Sequence, residues 1–208
     1  MAEAKRRLAA ILSADVAGYS RLMGDDDRAT MDTLNAYREV FRRHISDRGG
    51  RVVDTAGDSV LALFDSIVEA VQCAVDVQGE LEGCNGDLPE DRRMRFRVGI
   101  NLGDILEQDD GTVYGNGVNV AARLESLAEL GRICLSGSAR EQVEGKTNRS
   151  FEDVGAHAVK NIVRPVHALL GLRAYGAVEG SGSVKTGHRS PLVKPVPTTA
   201  RASRSQGS

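Results

Sequence analysis

The sequence predicts an α+β fold, a ferredoxin-like βαββαβ sandwich in which helices cover an antiparallel sheet. Three observations predict it. Short apolar runs of strand length alternate with longer segments whose apolar residues recur at helical spacing. Two of the strand-like runs are parted only by a tight turn, a hairpin signal. The elements follow one another as strand, helix, strand, strand, helix, strand.

The first strand is the run LAAILSA over residues 8–14, ended by Asp15. VAGYS over 16–20 is a loop with a central glycine that leads toward a helix. Met31, Leu34, Tyr37, Phe41 and Ile45 share one face of an amphipathic helix over 28–48, stopped by Gly49 and Gly50. Residues 51–54 and 59–64 form the hairpin, with Thr55, Ala56, Gly57 and Asp58 turning between them. A second helix runs over 66–81, opened by Ser66 as its cap. Phe96, Val98 and Ile100 alternate within a strand over 94–106, turned by Asp109, Asp110 and Gly111. The third long helix spans 116–130, with Gly131 just past its end. Residues 133–135 and 166–172 are the last strands.

The chain has 208 residues, of which 41% are hydrophobic, so one domain with a real core is expected. That domain occupies residues 1–174. Over 175–208 Gly, Ser, Thr and Pro dominate, and Lys185, Arg189, Lys194, Arg201 and Arg204 face only Glu179; a disordered basic tail is expected there. The formal net charge of -2 gives no global pull toward nucleic acid or an anionic membrane. No apolar run is long enough to span a bilayer. Cys73, Cys84 and Cys134 form no CxxC pair, and reduced thiols in a cytoplasmic protein are expected.

The chemistry concentrates in three segments. Asp15 and Asp58 stand at strand ends that the fold places side by side. Converging carboxylates suit Mg²⁺, which takes one or two of them together with phosphate oxygens; Asp58 alone also suits an ordinary Gly-Asp turn. Gly18 lets a backbone approach a ligand, and successive N–H groups at a helix start suit phosphate. In VYGNGVNVAARLE, Asn119 and Arg123 are four apart and share a helix face among small and apolar residues. Such a pair calls for a partner, either a carboxylate on a neighbouring element or a nucleotide.

The order and spacing of LSADVAGYS, TAGDSVLALF, FRVGINLGD and VYGNGVNVAARLE resemble the catalytic domain of class III adenylate and guanylate cyclases. FEDVG from Phe151 and VKNIVRPV from Val159 resemble that family's C-terminal hairpin. The resemblance runs from Leu8 to about residue 172.

The resemblance implies that ATP is converted to 3′,5′-cyclic AMP and pyrophosphate, for cyclic-nucleotide signalling. Asp15 and Asp58 would hold two divalent cations, Mg²⁺ or Mn²⁺. Asn119 would orient the ribose and Arg123 would stabilise charge on the α-phosphate. Val16, Ala17, Gly18, Tyr19 and Ser20 would offer N–H groups to the triphosphate, and Lys160 would contact it. In this family the aspartates and the Asn/Arg pair of one site come from different subunits, which implies a homodimer; no nucleic-acid or membrane partner is expected, from the charge balance and the short apolar runs. Family members that use ATP typically carry a lysine where this chain has Asp54, and commonly an aspartate where it has Thr112. Asp54 suits guanine better, so a guanylate cyclase using GTP is the alternative. A catalytically weak nucleotide-binding dimerisation module is a further one.

Overall fold

The strand expected over 8–14 extends across Lys5–Val16 (β1), because its backbone pairs with Phe96–Glu107 (β4) along its whole length, from Lys5 opposite Glu107 to Val16 opposite Phe96. Asp15 therefore does not end the strand; it lies within it, opposite Arg97. The computed structural model describes residues 4–147, 150–157 and 166–171. The expected tail and Lys160 lie outside the described residues.

Gly18, in the left-handed conformation with φ 72°, turns the chain from β1 into a short helix, Tyr19–Asp25 (α1). Asp26 is extended and caps the next helix, Asp27–Asp47 (α2), by accepting from the Ala29 N–H at 3.0 Å. Leu34, Tyr37, Phe41 and Ile45 form the buried stripe of α2, and Met31 sits outside it, 40% exposed. Arg51–Asp54 (β2) and Val60–Phe64 (β3) make the hairpin.

Ser66 caps Ile67–Gly86 (α3) as expected. That helix runs five residues beyond the expected 81, and buried Asn85 in its last turn explains why. The Asn85 side chain accepts from Tyr37 Oη and from the Met94 N–H, and donates to the Met94 carbonyl, tying α2, α3 and the segment leading into β4 together.

Val113–Tyr114 (β5) pairs with the end of β4. Asn116–Leu127 (α4) stops three residues short of the expected 130, because Ala128 turns extended and Gly131 donates its N–H to the Phe96 carbonyl. Ile133–Ser136 (β6), Gly137–Val143 (α5), Phe151–His157 (β7) and Val166–Gly171 (β8) complete the described chain.

The sheet order is β2-β3-β1-β4-β6-β8-β7, with β5 added on β4. The pairing is antiparallel except between β4 and β6, which α4 joins as a crossover connection. Ala10, Leu12, Ala14 and Val16 point to the face covered by α2 and α3, in a core with Phe41, Phe64 and Phe96. Ala9 and Ile11 point the other way, toward Ile105 and Ala121. Among the described residues no helix is long and apolar enough to cross a membrane. Cys73, Cys84 and Cys134 are all free thiols.

Helix α4 lies directly on β4, and glycines make this possible. A Cβ at Gly99 would sit 2.2 Å from both the Ala121 carbonyl oxygen and the Glu125 nitrogen. One at Gly117 would meet the Asp104 carbonyl at 2.7 Å. The spacing of FRVGINLGD thus matches a strand that carries a helix on its bare backbone. Between these glycines, buried Asn101 donates to the Gly117 carbonyl at 3.0 Å.

Candidate active site

Asp15 comes to the α4 side of the sheet because residues of one parity along β1 share a face, with Ala9, Ile11 and Ser13. Ala14 of β1 is opposite Val60 of β3, which brings the turn before β3 alongside Asp15. Asp58 in that turn feels its neighbour. Its carboxyl is raised above the ordinary value, first by burial and then by the hydrogen-bonding reach and charge of Asp15. Two half-buried carboxyls brought side by side are a natural seat for a cation.

Three further side chains meet there. Arg97 donates to Asp15 Oδ2 at 3.0 Å. Ser13 donates through Oγ to Glu125 Oε2 at 2.8 Å, both residues being buried. Burial raises the Glu125 carboxyl; the Ser13 bond opposes this, the charge of Asp15 adds to it and that of Arg97 opposes it. Arg97, Ser13 and Glu125 were not anticipated. A charged residue on the glycine-bearing face of an otherwise apolar strand was the available signal for Arg97.

The segment 16–20 divides. Val16 is buried in the core, and the Ala17 N–H already donates to the Arg95 carbonyl at 2.9 Å, so the Ala17 N–H is not free for a phosphate. The N–H groups of Gly18, Tyr19 and Ser20 meet no acceptor among the described residues. They open α1, next to Asp15.

Asn119 and Arg123 do share one face of α4, as their spacing predicts. That face is exposed, not buried, and neither side chain finds a hydrogen-bond or ion-pair partner among the described residues. Of the two partners expected for the pair, a neighbouring carboxylate or a nucleotide, the carboxylate is not found among the described residues; small residues such as Ala122 also lie on the outward face, so their presence does not signal burial. Glu125 lies on the inward face of the same helix. Asp54 is exposed at the end of β2. Thr112 is half-buried in the turn before β5, where its N–H donates to Asp110 Oδ1 and its carbonyl accepts from the Gln108 N–H. No hydrogen bond joins Asp54 to Thr112 among the described residues.

Comparison with known proteins agrees with this architecture. The family described as adenylate and guanylate cyclase catalytic domain matches residues 2–170. A Rhizobium meliloti protein provisionally named adenylate cyclase 3 is 49% identical over 164 residues, which cover 78% of this chain. The chain spans only 28% of that relative's length. The crystal structure of an adenylate/guanylate cyclase/hydrolase from Silicibacter pomeroyi superposes with a TM-score of 0.77 at 40% identity, covering 82% of this chain and 99% of that one. The adenylyl cyclase CyaB from P. aeruginosa shares the fold, with a TM-score of 0.73 at 24% identity over 84% of this chain and 100% of that one.

Proposed function

The chain belongs to the family of adenylate and guanylate cyclase catalytic domains, and from that premise we propose that it converts ATP to 3′,5′-cyclic AMP and pyrophosphate in a homodimer. One observation carries the proposal. The chain holds two incomplete sets of catalytic groups, paired carboxylates at Asp15 and Asp58 and an exposed Asn119/Arg123 pair that meets nothing in its own described chain. A second copy in head-to-tail arrangement would bring each set to the other.

In the reaction the ribose 3′-oxygen bonds to the α-phosphorus, the bond from that phosphorus to pyrophosphate breaks, and the hydroxyl proton is lost. Asp15 and Asp58 fit a pair of divalent cations, since burial and the neighbouring Asp15 carboxyl raise Asp58 and a cation would relieve that penalty. Bound Mg²⁺ or Mn²⁺ supplies Lewis-acid activation of the hydroxyl and neutralises triphosphate charge. Arg97 contributes a fixed positive charge beside Asp15. The N–H groups of Gly18, Tyr19 and Ser20 bind phosphate oxygens; the family resemblance, and not the described structure, assigns Lys160 a further contact with the triphosphate. From the partner's α4, Asn119 orients the ribose. Arg123 neutralises the charge that grows on the α-phosphate oxygens.

ATP is favoured because a relative 49% identical carries the adenylate cyclase name. One observation favours GTP: the exposed Asp54 carboxylate can accept from guanine N1 and N2 but cannot donate to adenine N1. An assay of purified protein with ATP and with GTP, in Mg²⁺ and in Mn²⁺, decides between them. Cyclic AMP in excess is expected. Cyclic GMP in excess would reverse the substrate, and neither product would leave a nucleotide-binding dimerisation module. The resemblance fits a cytoplasmic catalytic module of cyclic-nucleotide signalling.

A further inference from the structure

The turn between β2 and β3 carries two of the residues discussed above, Asp54 at its start and Asp58 at its end. It has little to hold it. Ala56 and Gly57 are exposed, and Gly57 is left-handed at φ 61°. Its internal bonds run only from Ser59, whose N–H and Oγ both donate to the Ala56 carbonyl. A segment with exposed backbone and few packing contacts opens readily.

One side chain from another element reaches its backbone among the described residues. Arg38 of α2 donates through one terminal nitrogen to the Thr55 carbonyl at 2.6 Å and to the Gly57 carbonyl. Its base is firm, because Tyr37 and Phe41 on either side are buried in the core. Its partners are unusual. A half-buried arginine commonly pairs with a carboxylate, yet Arg38 makes no ion pair among the described residues. Its Nε is buried and unbonded. Its charge acts on the turn and, at slightly longer range, on Asp58, whose carboxyl it pulls downward against the stronger raising effects of burial and Asp15.

We propose that Arg38 is a positioning residue: it clamps the 55–57 backbone so that Asp58 stands beside Asp15, ready for a cation, before any ligand arrives. The role rests on the cyclase reading only in what Asp58 is positioned for. Both carbonyls are held from a single terminal nitrogen, so charge and reach carry the contact, and a lysine ammonium that extends less far should replace it only in part. Charge-assisted bonds to carbonyls outrank neutral ones, so their loss should be visible as a local opening.

The test uses the full chain without metal or nucleotide and follows amide hydrogen exchange in wild type, Arg38→Met and Arg38→Lys. Arg38→Met should speed exchange across residues 54–60 about tenfold or more, the loss expected for two charge-assisted bonds, and leave α3 and β4 unchanged. Arg38→Lys should fall between. In parallel, Mn²⁺ should bind Arg38→Met several-fold more weakly by electron paramagnetic resonance, and turnover should need correspondingly more Mg²⁺, with Arg38→Lys partly restored. Unchanged exchange over 54–60 would overturn the proposal. So would faster exchange throughout the chain, which would make Arg38 a general stabiliser. Loosening confined to the turn, with no cyclic product from wild type, supports the clamp and counts against the cyclase reading alone.

Discussion

Asp15 and Arg97 occupy opposite positions of β1 and β4 and meet at 3.0 Å on the face beneath α4. The strand pairing thus sets a guanidinium against one of the two carboxylates proposed to hold metal. Arg97 offsets negative charge at a place where two aspartates and buried Glu125 converge. Fold and site are therefore coupled here.

Asp15→Ala should abolish cyclic-nucleotide formation with Mg²⁺ while the circular dichroism spectrum stays that of wild type. Asp15 is half-buried at the end of the sheet, and its removal opens no core cavity. Wild-type turnover in Mg²⁺ would remove Asp15 from the metal site.

Asp58→Asn should lose activity yet gain stability. Burial and the Asp15 carboxyl raise Asp58 above its ordinary value of 3.8, so the folded chain holds that proton more tightly than the unfolded chain. The resulting penalty is absent below the unfolded value and complete once the pH has risen through the folded one. Metal-free Asp58→Asn should therefore melt a few degrees above wild type at about pH 7, and the gap should close as the pH falls below the ordinary aspartate value. Thermal unfolding in chelator over a pH series measures it; a gap that widens in acid would refute the assigned cause.

Asp54→Lys should raise the ratio of ATP to GTP turnover by about tenfold, the scale of one gained and one lost hydrogen bond to the base. Competition assays read the ratio directly. If it does not move, base choice lies with Thr112 or with backbone groups.

Mixing Asp58→Ala with Arg123→Ala protein should restore activity that neither has alone. Random exchange makes about half the dimers mixed, each with one intact site of two, so recovery should approach roughly a quarter of wild type. Arg123→Ala by itself should lower turnover more than affinity, because its contact strengthens as charge develops. Verified heterodimers without activity would show that the site does not span two chains.

Periodicity revealed the elements long enough to display it. The stripe from Leu34 to Ile45 marked α2, and the tight turn from Thr55 to Asp58 between two strand-like runs marked the hairpin. Seven residues of α1 or α5 and two of β5 are too few to establish a period. Apolarity stops at Ala14, which hid the last two residues of β1; their place in the strand comes from backbone pairing with Arg97 and Phe96, which no local composition records. The site was half legible for the same reason. Asp15, Asp58, Asn119 and Arg123 stand in recognisable motifs, whereas Ser13 and Glu125 meet across 112 positions of chain. Only the crossing of α4 over β1 creates that contact.

The glycine bed of α4 has a mechanical consequence. With Gly99 and Gly117 closing the gap to backbone contact, the helix has no side-chain cushion on which to slide or roll. Asn119 and Arg123 are therefore fixed to the sheet almost as rigidly as the strands themselves. In the proposed dimer, a shift of this helix within its own subunit would have to break that backbone contact. There, Asn119 and Arg123 would approach or leave the partner's carboxylates through movement of one protomer against the other, while the turn held by Arg38 offers a separate adjustment on the metal side.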